Sequence, residues 1–146
     1  MRVMMMGAAA LLMACTATTQ AGAQGADDFA GTWAFQTTLY GSQQVGAYMS
    51  GVAIMSESAP DQYSIRLMAN ERLVSRATGQ TRLLVAHQNC TGEMVGEQFT
   101  ISCELAEPLE GYAPDNFLLQ RGEENDQLVG VLSSNTEAQV TFTRMR

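Results

Sequence analysis

The chain contains no lysine, and all of its positive charge comes from eight arginines that are spread along 146 residues. A protein that binds nucleic acid or another polyanion needs a concentrated basic face. The scattered arginines and the formal net charge of -7 therefore argue against nucleic acid as a partner. The negative charge is most simply a solubility feature.

Catalytic motifs are also missing. His87 is the only histidine, and no His, Cys or Asp lies near it at the spacing of a metal site or a catalytic set. We also find no glycine-rich phosphate loop, nucleophile elbow or HExxH motif. The acidic residues between Glu107 and Asp126 lack the spacing of an EF-hand and indicate a solvated face. The sequence predicts no catalytic residue, no metal and no cofactor, and hence no enzyme.

Long apolar runs are absent apart from the amino terminus, where one arginine precedes about twelve apolar residues. That run is too short for a transmembrane helix and is typical of a secretory signal. The segment Leu12-Met13-Ala14-Cys15 resembles a bacterial lipoprotein signal, in which residues 1–14 are removed and Cys15 is lipidated. Because Thr16 follows the cysteine, the resemblance implies an outer-membrane lipoprotein facing the periplasm, with membrane contact only through the lipid.

A second cleavage site competes with the first. Ala21-Gly22-Ala23 is an ordinary signal-peptidase site, which would remove residues 1–23 and leave a soluble periplasmic or secreted protein. Residues 15–28 are rich in Thr, Ala, Gly and Gln and show no periodicity, as expected of a flexible tether. The folded domain is predicted to span residues 29–146.

A hairpin at the centre of the chain fixes the register of its neighbours. With a two-residue turn at Gly96-Glu97, Val95 faces Gln98 and counting outward places Cys90 opposite Cys103. One face of this hairpin is then apolar or small, and the other is nearly all polar. Facing cysteines at a non-hydrogen-bonded position are close enough for a disulfide, which indicates an oxidising compartment.

Six further segments read as strands around this hairpin, and no segment shows helical periodicity over three turns. Eight antiparallel strands in a chain of this length predict a single up-and-down β-barrel, with a two-sheet sandwich as the alternative. The predicted strands are 32–39, 47–56, 62–68, 81–95, 98–105, 117–121, 127–132 and 138–145.

Three local predictions accompany this assignment. Val52 and Ile54 are expected to point inward. The alternation of residues 81–95 slips after Leu84, which predicts a bend or bulge near residues 87–89. Residues 70–80 are expected to form a long connection, in which residues 70–74 have room for one helical turn.

Alternating strand direction predicts two unlike ends. The connections 57–61, 96–97 and 122–126 and both chain termini fall at one end, and the longer connections 40–46, 70–80, 106–115 and 134–137 fall at the other. Because long loops build sites, we expect partners to bind at the end with the long connections. The candidate binding residues there are Tyr40, Arg72, Arg76, Tyr112 and Asp115.

Gly31-Thr32-Trp33 resembles the G-x-W signature of lipocalins and related small barrels. The resemblance implies that Trp33 plugs one end of the barrel and that Arg144 of the last strand packs over it. It also implies a carrier of a small apolar ligand, although strands shorter than those of lipocalins enclose an interior that side chains alone can fill. The same opening occurs in small periplasmic protease-inhibitor barrels, whose cysteine spacing differs from the spacing of this hairpin.

The sequence therefore favours a non-enzymatic module of the cell envelope that binds another protein through its long-loop end. A lipocalin-like carrier of a small apolar ligand and a protease-inhibitor-like barrel are the alternatives. The volume inside the barrel distinguishes the carrier from the other two.

Overall fold

The computed structural model describes residues 28–146, which form an all-β domain. The predicted signal peptide, Cys15 and the tether up to residue 27 lie outside the described residues. None of the described segments is a helix that could cross a bilayer. The strands are β1 (Gly31–Thr37), β2 (Tyr40–Gly41), β3 (Val45–Ala59), β4 (Gln62–Ser75), β5 (Thr81–Val95), β6 (Gln98–Leu105), β7 (Asn116–Arg121), β8 (Gln127–Ser133) and β9 (Glu137–Arg144).

The sheet closes on itself. Its strand order is β1-β9-β8-β7-β6-β5-β4-β3-β2, and β1 also pairs with β3. Every pair is antiparallel, and β2 is a two-residue addition that pairs with β3 at Ala47 and Gly46. Eight strands thus form the wall, and the predicted up-and-down barrel is confirmed over the sandwich.

The central hairpin has the predicted register. Val95 pairs with Gln98, and Cys90 pairs with Cys103, with which it forms a disulfide. The Cα atoms of the two cysteines are 4.0 Å apart. Gly96 has a φ of 64°, which the first position of a type II′ turn requires and which glycine adopts without strain. A turn that matches strand twist and an alternating apolar face therefore specify the same pairing.

The predicted bulge near residues 87–89 is wrong. Strand β5 pairs without interruption along β4, and its even-numbered residues from Leu84 to Gly92 are buried. The alternation slips in the sequence because one inward position is polar: Gln88 is only 2% exposed. The strand is regular, and the anomaly is a buried polar side chain rather than a change in backbone.

The prediction that Val52 and Ile54 point inward is also wrong. Ala53 and Met55 are buried, while Ile54 is 47% exposed. Strand β1 explains the choice, because Trp33 lies opposite Ala53 and Phe35 lies opposite Gly51. A Cβ atom on Gly51 would lie 2.6 Å from the Phe35 ring. Two large rings need small residues across from them, and this requirement outweighs the apolar character of residues 52 and 54.

The predicted connection 70–80 is much shorter than expected. Strand β4 continues to Ser75, so the connection spans only residues 76–80, and residues 70–74 are strand rather than a helical turn. Residues 70–75 pair with β3 on one side, and residues 70–74 pair with β5 on the other. The long strands β3 and β5 provide hydrogen-bond partners for the backbone of this polar segment, and this tertiary effect overrides its weak strand propensity.

Stacked and edge-to-face rings fill the middle of the barrel. Phe35 stacks on Phe142 with 5.0 Å between ring centroids, and Phe117 makes edge contacts with both at 5.7 and 5.3 Å. Ile65, Ile101 and Leu119 are buried in the same cluster. Side chains therefore occupy the interior, as expected for a small eight-stranded barrel.

The connections separate into two groups. Residues 60–61, 96–97 and 122–126 join strands at what we call the tight end, where the chain also enters β1 and leaves β9. Residues 38–44, which include β2, and 76–80, 106–115 and 134–136 join strands at the opposite end, which we call the long-loop end. The functional groups at the two ends differ in kind.

Candidate functional site

The tight end is closed by Trp33 and Arg144. Trp33 is fully buried, and the Arg144 guanidinium carbon lies 4.5 Å from the centre of its ring. Arg144 also donates to the backbone oxygens of Ala30 and Asp28, at 2.5 and 2.6 Å. The structure thus brings the two residues of the sequence-predicted plug into a cation–π contact, with the arginine held over the ring by hydrogen bonds.

Phe29 completes this closure and was not foreseen as a plug. It stacks on Phe99 with 4.6 Å between centroids and makes an edge contact with Tyr63 at 5.8 Å. Its backbone oxygen accepts a hydrogen bond from Trp33 Nε1 at 2.9 Å. The only available signal was an aromatic residue two positions before the G-x-W opening.

The long-loop end holds a buried carboxylate. Asp115 is 1% exposed, and its Oδ2 accepts hydrogen bonds from Gln88 Nε2 and from the Tyr112 hydroxyl, each at 2.6 Å. The Asp115 backbone N–H donates to Gln88 Oε1 at 2.9 Å. Its other oxygen, Oδ1, is buried and accepts no hydrogen bond from any described residue. A buried polar atom without a partner is rare and requires an explanation.

A second phenol–carboxylate pair lies beside the first. The Tyr40 hydroxyl donates to Glu71 Oε1 at 2.6 Å. Tyr40 is held by the short strand β2, and Glu71 points inward from β4, opposite Met49 of β3. Both tyrosine side chains therefore use their hydroxyl hydrogens on carboxylates, and the end of the barrel carries two acids within one polar cluster.

Burial determines the protonation of this cluster. It raises the pKa of Asp115 to about 6, although the hydrogen bonds from Tyr112 and Gln88 act in the opposite direction. Burial and the neighbouring carboxylates also raise the pKa of Tyr40 and of Tyr112 well above the usual value of a phenol. Both phenols consequently stay neutral and donate, while Asp115 changes charge close to physiological pH.

A cavity of about 160 Å³ opens beside these groups. We call it the mouth cavity. It is lined by two tyrosines, two acids and apolar side chains from the barrel wall, among them Tyr40, Met49, Glu71, Tyr112, Asp115 and Leu132. Residues 134–136 form part of its rim. The cavity is small, partly polar and acidic.

Only three of the five predicted binding residues meet at this cavity. Tyr40, Tyr112 and Asp115 line it. Arg72 lies on the outer wall, 5.8 Å from the centre of the Tyr48 ring, and Arg76 donates to the backbone oxygen of Ser42 at 3.0 Å. Arg72 belongs to the strand extension that was predicted as loop, and its place in the alternation turns it outward.

Gln88 and Glu71 belong to the site and were missed by sequence reasoning. The break in the alternation of β5 was the signal for Gln88, but a polar residue at an inward position and a bulge give the same pattern. Glu71 could not be placed, because residues 70–80 were expected to be a connection. His87 faces the outside of the barrel and is exposed. Within residues 28–146 no group of three His, Cys, Asp or Glu side chains is arranged to hold a metal ion.

No protein-family model matches the sequence. A search of curated proteins finds no significant match either. Among solved structures, the chain is similar to a designed protein described as a de novo fluorescence-activating β-barrel, with a TM-score of 0.57 and 18% sequence identity over 80% of this chain and 94% of that chain. This similarity concerns the fold alone, a closed β-barrel.

Proposed function

We propose that this protein is a non-enzymatic binding module of the cell envelope, and that its long-loop end receives one side chain of a protein partner. The observation that carries the proposal is the mouth cavity, a small space at the end of a filled barrel that is lined by Asp115, whose buried Oδ1 has no hydrogen-bond partner among the described residues. Groups of this kind are concentrated at functional sites.

The size of the cavity supports a single side chain rather than a whole ligand. Sites for drug-sized molecules occupy roughly 300–1,000 Å³, and the mouth cavity occupies about 160 Å³. The barrel interior is filled by side chains, among them the rings of Phe35 and Phe117, whose centroids are 5.7 Å apart. The tyrosines at the rim are side chains that often anchor protein interfaces.

The disulfide and the course of the chain support an envelope location. The Cys90–Cys103 bond fits an oxidising compartment. The chain enters the barrel at the tight end, so a tether to a lipid on Cys15 would leave the long-loop end facing away from the membrane. The intact mass of the mature protein tests this part, because it distinguishes a lipidated Cys15 from cleavage after residue 23.

Site-specific crosslinking tests the binding proposal. A photo-crosslinking amino acid is placed at Asn135, on the rim of the mouth cavity, or at Glu123, in a tight-end turn, in the organism that makes the protein. Both positions are exposed, so neither change disturbs the core. We expect a discrete adduct from position 135 and none from position 123. The proposal fails if position 135 gives no adduct or if both positions give the same adducts.

One observation favours the carrier alternative. A cavity of about 560 Å³ lies at the tight end, lined partly by Phe29, Met94, Phe99 and Leu128. Its volume falls in the range of small-molecule sites. The test is the binding of an apolar fluorescent dye. Binding to the wild type that is lost in Met94→Arg and kept in Asn135→Arg would support this second function. Inhibition assays against periplasmic proteases test the third alternative, in which the partner is a protease.

A further inference from the structure

The two tyrosines of the mouth cavity use their hydroxyl hydrogens on its two acids, and the acids keep unused acceptor oxygens. The Tyr112 hydroxyl donates to Asp115, and the Tyr40 hydroxyl donates to Glu71. Asp115 Oδ1 remains unpaired, and it is the one buried side-chain atom of the described residues in that state. A ligand that completes this set must bring donors and needs no acceptors. Among side chains, ammonium, guanidinium, protonated imidazole and indole groups meet that description, and the first three also bring the positive charge that two neighbouring acids favour.

We propose that the mouth cavity binds the primary ammonium group of a lysine side chain, with Asp115 Oδ1 and the Glu71 carboxylate as its acceptors. This inference rests on the proposed function, since the lysine belongs to the protein partner. It assigns a chemical class to the side chain that the partner inserts.

The geometry of the acids favours lysine over arginine. Arginine prefers to meet both oxygens of one carboxylate in a planar, bidentate arrangement. Here Oδ2 of Asp115 is already occupied by Gln88 and Tyr112, and Oε1 of Glu71 is occupied by Tyr40. Each carboxylate thus offers one oxygen. A compact ammonium with three rotatable donors fits two single acceptors, one in the connection 106–115 and one on β4.

The hydrogen bonds that Asp115 accepts do not require its charge. An asparagine at this position could accept from Gln88 and Tyr112 with its one oxygen and would avoid the cost of burying a charge. Within residues 28–146 no arginine forms an ion pair with Asp115 or Glu71. The sequence contains no lysine, so a lysine side chain must come from another molecule.

Titration of the full-length mature protein with n-butylammonium chloride tests the inference. This probe has the length and charge of a lysine side chain, and the backbone amide of Asp115 and the side-chain amide of Gln88 report its binding by ¹H–¹⁵N NMR. We expect saturable shifts at both amides, about tenfold weaker binding of n-butylguanidinium, and no binding of n-butanol. Asp115→Asn and, separately, Glu71→Gln should weaken the binding of butylammonium by about tenfold or more.

The matched control is Asp126→Asn, which removes an acid that pairs with Arg146 at the tight end. It should leave the affinity for butylammonium unchanged. If the wild-type protein does not bind butylammonium, or if Asp115→Asn binds it equally well, the inference is overturned. The crosslink from position 135 then decides whether the proposed function survives: a persisting adduct means that only the lysine is wrong, and a missing adduct means that the long-loop end is not a binding surface.

Discussion

The two ends of the barrel differ in how their charged side chains are paired. Each end must close a barrel with side chains that include charged groups. At the tight end the Arg144 guanidinium lies over Trp33 and donates to two backbone oxygens. At the long-loop end Asp115 is more deeply buried, yet one of its oxygens has no partner among the described residues.

This difference distinguishes a charged group that stabilises the fold from one that lowers stability. A partly exposed charge that makes hydrogen bonds and a cation–π contact adds to the stability of the fold, whereas a buried charge with an unused oxygen costs stability. A small domain keeps such a group where activity depends on it, because stability and function often conflict at binding sites. The tight end thus has the features of a structural closure, and the long-loop end has the features expected of the binding site proposed above. The following predictions test that division, from the largest expected effect to the smallest.

Trp33→Ala should cause the largest loss. It removes a fully buried ring, its contact with Arg144 and its hydrogen bond to Phe29. Replacing a buried tryptophan with alanine lowers the free energy of unfolding by about 4 kcal/mol. In urea unfolding, this loss of stability appears as a lower midpoint concentration. The control Leu39→Ala changes a residue that is 65% exposed and should stay within about 0.5 kcal/mol of the wild type. Equal losses in the two variants would contradict the role of the plug.

Removing the disulfide should lower the free energy of unfolding by slightly less than Trp33→Ala does. Cys90 and Cys103 are 13 residues apart, and a loop of that length contributes about 3 kcal/mol in the chain-entropy model. The double variant Cys90→Ala/Cys103→Ala should therefore unfold at a lower urea concentration. Dithiothreitol should destabilise the wild type by a similar amount and leave the double variant unchanged. Stability that is insensitive to the reductant would show that the bond is not needed to hold the hairpin.

Asp115→Asn should stabilise the protein at pH 7.5. The folded-state pKa of Asp115 is about 6 and its ordinary value is 3.8. Between these two pH values the folded state therefore holds a proton that the unfolded state has released. The loss of stability caused by the charged carboxylate is complete above pH 7 and disappears as the pH falls toward 4. Burying the charge costs about 3 kcal/mol at pH 7.5 and little at pH 4, so we expect the variant to gain about 2 kcal/mol of stability relative to the wild type between pH 4 and pH 7.5.

Comparing urea unfolding of the two proteins at several pH values isolates this group, because other carboxylates contribute equally to both. The groups that face Asp115 are Gln88, Tyr112, Tyr40 and Glu71. A variant that is less stable than the wild type at pH 7.5 would mean that the carboxylate stabilises the fold. The contrast between the two ends would then disappear.

Tyr112→Phe should have the smallest effect on stability. It removes the hydroxyl that donates to Asp115 at 2.6 Å and keeps the ring. The free energy of unfolding should fall by about 1 kcal/mol. Because this hydrogen bond favours the charged carboxylate, its loss should also raise the pKa of Asp115 further. Tyr48→Phe on the outer wall is the control and should change neither quantity. A lower pKa of Asp115 in Tyr112→Phe would refute the hydrogen-bond assignment.

The fold could be predicted because the hairpin carries redundant information. A glycine turn, an apolar face and two facing cysteines specify the same register, and each neighbouring strand adds to it. The predictions failed where one segment depends on another. The inward side of β3 is determined by Trp33 and Phe35 across the strand pair, and the length of β4 is determined by its two partners. No pattern within either segment contains that information.

The site was only half predictable for the same reason. Tyr112 and Asp115 share one loop with strong turn residues, which drew attention to them. Their partner Gln88 is 27 positions before Asp115, and its role became clear only from the hydrogen bonds that join them. A polar residue that interrupts the inward face of a strand is a better signal of a buried network than of a bulge when the backbone pairing is regular on both sides.

The pKa of Asp115, followed by ¹³C NMR of its carboxyl carbon, is the most direct test of the contrast between the two ends. The free protein should titrate at about pH 6. Saturating n-butylammonium should lower that pKa by about one unit or more, because a neighbouring positive charge favours the carboxylate. A pKa that is unchanged by the cation, or that lies near 3.8 in the free protein, would contradict the account of the long-loop end as a site for a lysine side chain.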